Sequence, residues 1–427
     1  MARVPSLKIF RHQAYRYYWI ARQLISAGRQ MVAVAIGWQI YDLARETRSV
    51  EESAFLLGLV GLTQFLPVLM LSLVAGQAAD RIDRKLILVA SNIVRIAVIG
   101  GLFAASYLPA SLAIPAIFVA AAIMGGVNAF TPPASTALYP QLVPRDELPL
   151  AIAWNSLGFQ GAAILGPAIG GFLYIGGPQL VYAVAGAIVV VAVLSFLAAK
   201  TPAHEPVKNA RGLKMIFEGL RYVRDNKIVL GAISLDLVVV FFGGVTALLP
   251  VFARDVLHVG AEGLGLLRAA PAFGAGIVAA WMAVNPLSHR VGLWMLAAIA
   301  VYGAAMLGFA VSTLFWLSMA MLALTGAADM ISMYIRMSLI QLATPDGMRG
   351  RVSSVSYIFI SASNELGEFE SGVAARFLGP VGAVLLGGAV AIASALAWVK
   401  LFPSLATADK FEDEAAVEKA QAPKYLE

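Results

Sequence analysis

The stretch Gly76-Gln-Ala-Ala-Asp80-Arg81-Ile-Asp83-Arg84-Lys85 is a short charged turn that closes one long apolar run, residues 54–79, and opens the next, residues 86–107. A helix crosses the hydrocarbon core of a bilayer in about 20 residues. Each run is therefore long enough to span, and the charged turn keeps their reversal in water. A closed barrel would need segments of about ten residues alternating apolar and polar, and neither run alternates. Carried outward along the chain, the same length test of about 20 residues gives twelve spans. The first six cover residues 18–43, 54–79, 86–107, 112–139, 148–175 and 179–199. The second six cover residues 228–253, 264–284, 291–311, 314–341, 352–377 and 381–402.

Composition agrees. The 427 residues are 60% hydrophobic and 13% charged, with a mean hydropathy of +0.80. Soluble domains carry about a quarter charged residues, and disordered chains are poor in apolar ones, so both classes are excluded. The absence of cysteine removes disulfides, iron–sulfur clusters, thiolate zinc sites and thiol nucleophiles together. His12, His204, His258 and His289 are scattered and suggest no metal site. No cofactor is expected. The net charge of +6 does not argue for nucleic acid, because the basic residues gather at one membrane edge, where orientation rules place them. The basic N-terminus leads into an apolar stretch containing Arg22 and Arg29 without a small-residue cleavage site, and reads as a retained first span.

The longest internal charged segment, residues 200–227, carries Lys208, Arg211, Lys214, Arg221 and Arg224. Leu213, Ile216, Phe217, Leu220 and Val223 recur opposite them at helical spacing, which predicts an amphipathic helix lying on the cytoplasmic face against headgroups. The expected organisation is all-α: a six-helix bundle over 1–199, the linker over 200–227, a second six-helix bundle over 228–402, and a cytoplasmic tail over 403–427 with Glu412, Asp413 and Glu414. Gln141-Leu142, Pro144 and Asp146 are repeated as Gln341-Leu342, Pro345 and Asp346. Parallel halves of this kind imply a pseudo-twofold axis along the membrane normal and a working site at their interface. Arg45, Arg48, Arg254 and Arg376 fall on the outer side. Arg81, Arg84, Lys85, the linker and Arg349 with Arg351 fall on the inner side, so both termini are expected in the cytoplasm.

The turn at Gly76–Lys85 resembles the signature loop of the major facilitator superfamily, in which Gly is followed by Asp-Arg and then Gly-Arg-Lys. Asp83 stands where that family has Gly. The resemblance implies a gate in which Asp80, within the motif of Gly76, Arg81, Arg84 and Lys85, meets the start of the eleventh span beside Arg349 and Arg351. A second segment, Ala129-Phe130-Thr131-Pro-Pro133-Ala134 through Leu142-Val143-Pro144 to Asn155-Ser156, is similar to the branch containing siderophore exporters and macrolide efflux pumps. In the fifth span, Gly166, Pro167, Gly170 and Gly171 resemble the core of the superfamily's exporter signature, and equally fit small-residue packing. The family's proton-coupled exporters carry an Arg in the fourth span. Here Gly125, Gly126 and Asn128 occupy that region.

Ionisable residues inside spans are costly and mark function. This chain places Asp236, Asp329, Glu365, Glu368 and Glu370 there, with Arg22, Arg29, Arg95, Arg268 and Arg336. Glu365 and Glu368 share a helix face three residues apart, roughly 20–24 Å from the start of their helix. Two adjacent carboxylates favour holding a proton, so they and Asp236 are the expected proton-coupling groups. Arg22, Arg29, Trp38, Gln39, Asn155, Gln160, Arg268, Asp329, Arg336, Asn364 and Glu370 are expected to line a substrate cavity, with Tyr41, Trp154, Phe159 and Phe241 as apolar walls. The reading is a monomeric exporter in the cytoplasmic (inner) membrane. It moves a medium-sized amphipathic small molecule, such as a siderophore or drug, by alternating access against protons. Alternatives are an uncoupled facilitator or importer, a membrane-embedded enzyme without a visible nucleophile–base pair, and a non-transporting receptor.

Overall fold

A computed structural model describes residues 6–202, 212–287, 289–342 and 344–409. Every regular element among them is helical. Six long helices come first: α1 (Gln13–Arg45), α2 (Val50–Arg81), α3 (Arg84–Ala105), α4 (Ala110–Leu138), α5 (Leu148–Leu173) and α6 (Pro178–Ala198). The linker helix α7 (Gly212–Asp225) follows. Then come α8 (Lys227–Phe242), α9 (Val245–Val251), α10 (Ala261–Val284), α11 (Val291–Val311), α12 (Phe315–Leu342) and α13 (Asp346–Leu401).

Ten helices among the described residues are long and apolar enough to cross a membrane. α1 is not among them, because Gln23, Arg29, Gln30 and Gln39 dilute its hydropathy, yet its 33 residues extend about 50 Å, ample for a crossing. The 56-residue α13 is two helices joined at Gly379, which takes φ 72° ahead of Pro380. Gly accepts that left-handed conformation and Pro starts a helix well, so the pair divides the eleventh span from the twelfth. The total of twelve spans follows.

Helix starts are chemically marked. Ser49 caps α2 by accepting from the Glu52 amide at 3.2 Å, and Asn226 caps α8 by accepting from Ile228 and Val229 at 3.1 Å. Asp83, the departure from the signature turn, caps α3: its Oδ1 accepts from the Lys85 amide at 2.7 Å and its φ is −54°. No glycine-only conformation is needed there.

The seventh span differs from its expected continuous form. It breaks at Gly243–Gly244 between α8 and α9 and then forms a π-turn at Phe252–Val256. A Cβ on Gly244 would collide with the Gly367 carbonyl, and one on Gly367 would lie 2.6 Å from the Val240 carbonyl. Two glycines thus let the break seat against α13.

The chain forms two compact units. One comprises Met1–Ala210 with Thr246–Ala269, the other Arg211–Val245 with Ala270–Glu427. In the first, Tyr15, Tyr18, Leu88, Leu138, Ala151 and Phe196 form a core near the charged turn. Gly166 and Gly170 of α5 bring α1 close, since added Cβ atoms would lie 2.7 Å from Gln30 Cβ and 2.8 Å from Met31 Cα. Gly171 faces Ala261 and Gly265 of α10 in the same way, and a Cβ on Gly265 would in turn lie 2.5 Å from the Pro167 carbonyl oxygen. In the second unit, Leu235, Val239, Met295, Ile335 and Ala391 pack together.

The described part of α7 packs on the second unit. Tyr222 and Val223 are buried with Val229, Ile340, Val352 and Val355 of the second unit, and Leu220 remains exposed. The side chains at Lys214, Leu213, Ile216 and Phe217, with Lys208, Arg211 and the acidic tail, lie outside the described residues.

At the turn, Lys85 Nζ donates to the carbonyls of Leu197 (3.1 Å) and Ala199 (2.7 Å), while Arg84 donates to those of Ala79 (3.3 Å) and Ala137 (3.2 Å). The C-terminal ends of α2, α4 and α6 are where carbonyls lack partners and the helix dipole favours cations. Lys85→Ala should therefore lower the apparent Tm of the purified protein by a few degrees, the equivalent of about 1–2 kcal/mol, with Lys85→Arg recovering most of it. An unchanged melting curve for Lys85→Ala would remove the staple from the account.

Candidate functional site

In the second unit, α8 and α12 bring Asp236 and Arg336 together as an ion pair between Arg336 Nη1 and Asp236 Oδ1. Their side chains are 5% and 4% exposed. Desolvating two charges costs several kcal/mol each, and only close mutual contact offsets this, so either group left alone would be strongly unfavourable. Asp329, Ser332 and Arg336 recur at three- and four-residue steps and share a face of α12. Asp329, Ser332 and Asp236 line a recess of about 10 Å³ with Tyr302 and Ile299, room for about one water. Tyr302 reaches out of it to donate to the Gly243 carbonyl at 3.3 Å, at the break of the seventh span. Asp329 is exposed, whereas Asp236 behind it is closed off.

Glu365, Glu368 and Glu370 are half-buried along the first arm of α13, and Asn364 is exposed, donating back to the Ile360 carbonyl at 3.0 Å. Gly367 lies between the first two carboxylates and touches Val240 and Phe241. The acidic run is thereby held beside the break of the seventh span, a juxtaposition visible only in three dimensions.

In the first unit two arginines of the helix interiors, Arg22 and Arg95, meet neutral partners. Arg22 donates to Ser135 Oγ at 2.5 Å and Tyr18 Oη at 3.2 Å. Arg95 is 2% exposed and donates to Asn128 Oδ1 at 3.2 Å. Arg29 is exposed, and Arg268 and Gln160 are half-buried. Trp38 packs edge-on to Tyr174, with centroids 6.5 Å apart. Gln39, expected in a cavity wall, is 5% exposed and accepts from Tyr182 Oη at 2.7 Å, which ties α1 to α6. Asn155 is buried with neither amide atom bonded to a described residue. Trp154 closes a cluster with Phe10 and Trp19, at 5.0 and 6.1 Å, and donates to the Ser6 carbonyl.

The motif residues distribute unevenly. Arg84, Lys85 and Asp83 tie helix ends as described, Asp80 is half-buried and Arg81 exposed. Arg351 pairs with Glu218 of α7 at 2.6 Å. The Arg349 side chain lies outside the described residues. An unforeseen cluster occupies the opposite membrane face. Arg254 pairs with Asp42 at 2.5 Å, Asp255 accepts from Tyr41, and Arg45 approaches Asp255 at 3.7 Å. Its signal in the sequence was the matched Asp42/Arg45 and Arg254/Asp255 doublets, more than 200 residues apart.

The transmembrane secretion effector family matches residues 5–424. The enterobactin exporter EntS of Escherichia coli O1:K1 is 29% identical over 390 residues, covering 90% of this chain and 88% of that protein. The EntS of Citrobacter koseri is 28% identical over 379 residues, covering 88% and 86%. Among solved structures, a D-xylose–proton symporter superposes with a TM-score of 0.70 at 13% identity, covering 92% of this chain and 98% of its own. With its all-helical spans and the Gly76–Lys85 turn, this chain belongs to the transmembrane secretion effector family of major facilitator transporters.

Proposed function

We propose that the protein exports a siderophore-like amphipathic molecule across the cytoplasmic membrane by alternating access, with both termini in the cytoplasm, and that inward proton movement drives it. The observation that carries this reading is the closed Asp236–Arg336 pair, with the exposed Asp329 at its mouth. A proton on Asp236 cancels half of the pair and frees the guanidinium to rearrange, so proton occupancy and helix packing become one equilibrium. Glu365 and Glu368, beside the break between α8 and α9, are the proposed second proton-carrying group. Similarity to enterobactin exporters along nine-tenths of the chain supports the substrate class.

The direct test is gradient-driven enterobactin uptake into proteoliposomes carrying the purified protein. Asp236→Asn should cut driven uptake at least tenfold while sparing substrate exchange without a gradient. Driven uptake equal to wild type would refute coupling at this pair and favour an uncoupled facilitator. Arg336→Gln alone strands a buried carboxylate and should cost about 3–5 kcal/mol of stability. The double variant Asp236→Asn/Arg336→Gln should regain most of that in thermal unfolding.

The charged cluster at Asp42 and Asp255 serves in this reading as the clasp of the outer gate. The chain contains no cysteine, so a single cysteine at Trp38 reports alone. Asp42→Asn/Asp255→Asn should raise labelling of Trp38→Cys by an impermeant thiol reagent severalfold from the outer side. Labelling that stays at the level of the unmodified clasp would dismiss it as a gate.

A further inference from the structure

The carbonyl of Gly243 ends α8 at the break of the seventh span. A carbonyl at a helix end has no partner within its own helix, and hydrocarbon offers none, so the protein has to supply it. Two donors do so, the Val245 amide at 2.7 Å and the Tyr302 hydroxyl at 3.3 Å. Gly243 has a φ of −94°, open to residues with a side chain, so its bareness serves a close approach rather than the turn. A Cβ there would lie 2.6 Å from Tyr302 Oη. Glycine at this position lets a side chain of α11 reach the backbone of α8.

The same tyrosine lines the recess of about 10 Å³ with Asp236, Asp329 and Ser332. Room for about one water puts hydroxyl and carboxylate within reach of each other, directly or through that water. A phenolic hydroxyl has one proton to donate. Asp236 is closed on Arg336, which leaves Asp329 as the carboxylate of the recess that is open to solvent. Ser332 is neutral, the remaining lining residues are apolar, and Glu365, Glu368 and Glu370 of α13 stand outside the recess. A hydrogen bond to an ionised carboxylate is roughly twice as strong as one to a neutral oxygen. The bond to Gly243 is longer than the about 2.8 Å usual for a hydroxyl donor, so its claim on the proton is the weaker one.

We propose that Tyr302 is a positioning residue that carries the charge state of Asp329 to the break of the seventh span. With Asp329 protonated, the hydroxyl donates to the Gly243 carbonyl and ties the break to α11. With Asp329 ionised, it donates to the carboxylate, and the carbonyl is left to the Val245 amide. The phenolic proton stays on its oxygen throughout and changes only its acceptor. The chain passes out of the second unit just beyond, between Val245 and Thr246, so the backbone that answers to the charge stands at the exit of that unit. The inference rests on the reading of this recess as the place where protons act, and adds the side chain through which they act.

Hydrogen–deuterium exchange on the full-length protein in neutral detergent tests this through the amides of residues 240–250, with those of α3 in the first unit as the control. Each variant is compared with wild type at the same pH, so the intrinsic chemistry of exchange cancels. At pH 8.5 Asp329→Asn should slow exchange at the break at least threefold, and at pH 5.5 it should match wild type. Tyr302→Phe should exchange at least threefold faster than wild type at pH 5.5, and Asp329→Asn added to it should change nothing at either pH. Equal exchange in wild type and Asp329→Asn at both pH values, or an Asp329→Asn effect that persists in the Tyr302→Phe background, overturns the proposal. So does a Tyr302→Phe change shared equally by α3, which would be loosening of the whole fold. If Tyr302→Phe does not run as a monodisperse species on gel filtration, the comparison of wild type with Asp329→Asn, altered at an exposed position, decides. Driven uptake untouched by Asp236→Asn, with this exchange pattern intact, would sink proton coupling at the pair and leave Tyr302 its role. Coupled uptake without charge-dependent exchange at the break would sink the role of Tyr302 alone.

Discussion

A charge inside a bilayer has to find its partner within the protein, because the surrounding hydrocarbon offers none. That constraint organises both units of this transporter, and each meets it differently. The first unit solvates guanidiniums with neutral groups, Arg22 with Ser135 and Tyr18, and Arg95 with Asn128. The second closes a carboxylate directly on a guanidinium at Asp236–Arg336. A neutral partner leaves positive charge in place, whereas an ion pair removes it until a proton intervenes.

The same scarcity of partners governs the backbone. Carbonyls at the ends of α2, α4 and α6 are finished by Arg84 and Lys85, so the signature turn acts within its own unit as a staple of helix ends. Because lipid is as apolar as leucine, helices associate through close packing rather than through escape from water. Glycine supplies that closeness at α5 against α1 and α10, and at Gly244 against Gly367. The break of the seventh span follows from such a contact, and the boundary between the two units falls beside it, at Val245 and Thr246.

Much of the fold was legible in the chain. Apolar runs bounded by charge gave the spans, and the gap between residues 377 and 381 marked the bend at Gly379. The amphipathic pattern of α7 was visible too, but not the packing of Tyr222 and Val223 against Val352 and Val355 of α13, since a pattern does not say what meets it. The break at Gly243 was concealed inside an uninterrupted apolar run. Gln39 and Trp154 look alike in sequence to residues facing a cavity, and only their bonds to Tyr182 and Ser6 give them packing roles.

The sequence by itself determined the class, the number of crossings and the set of ionisable residues that a membrane would make expensive, because length, hydropathy and charge are local properties. Only the tertiary structure decided which of those residues neutralise one another. Asp236 meets Arg336 across 100 positions, and Asp42 meets Arg254 across 212. Pairing depends on the register of helices packed side by side, which no local pattern encodes.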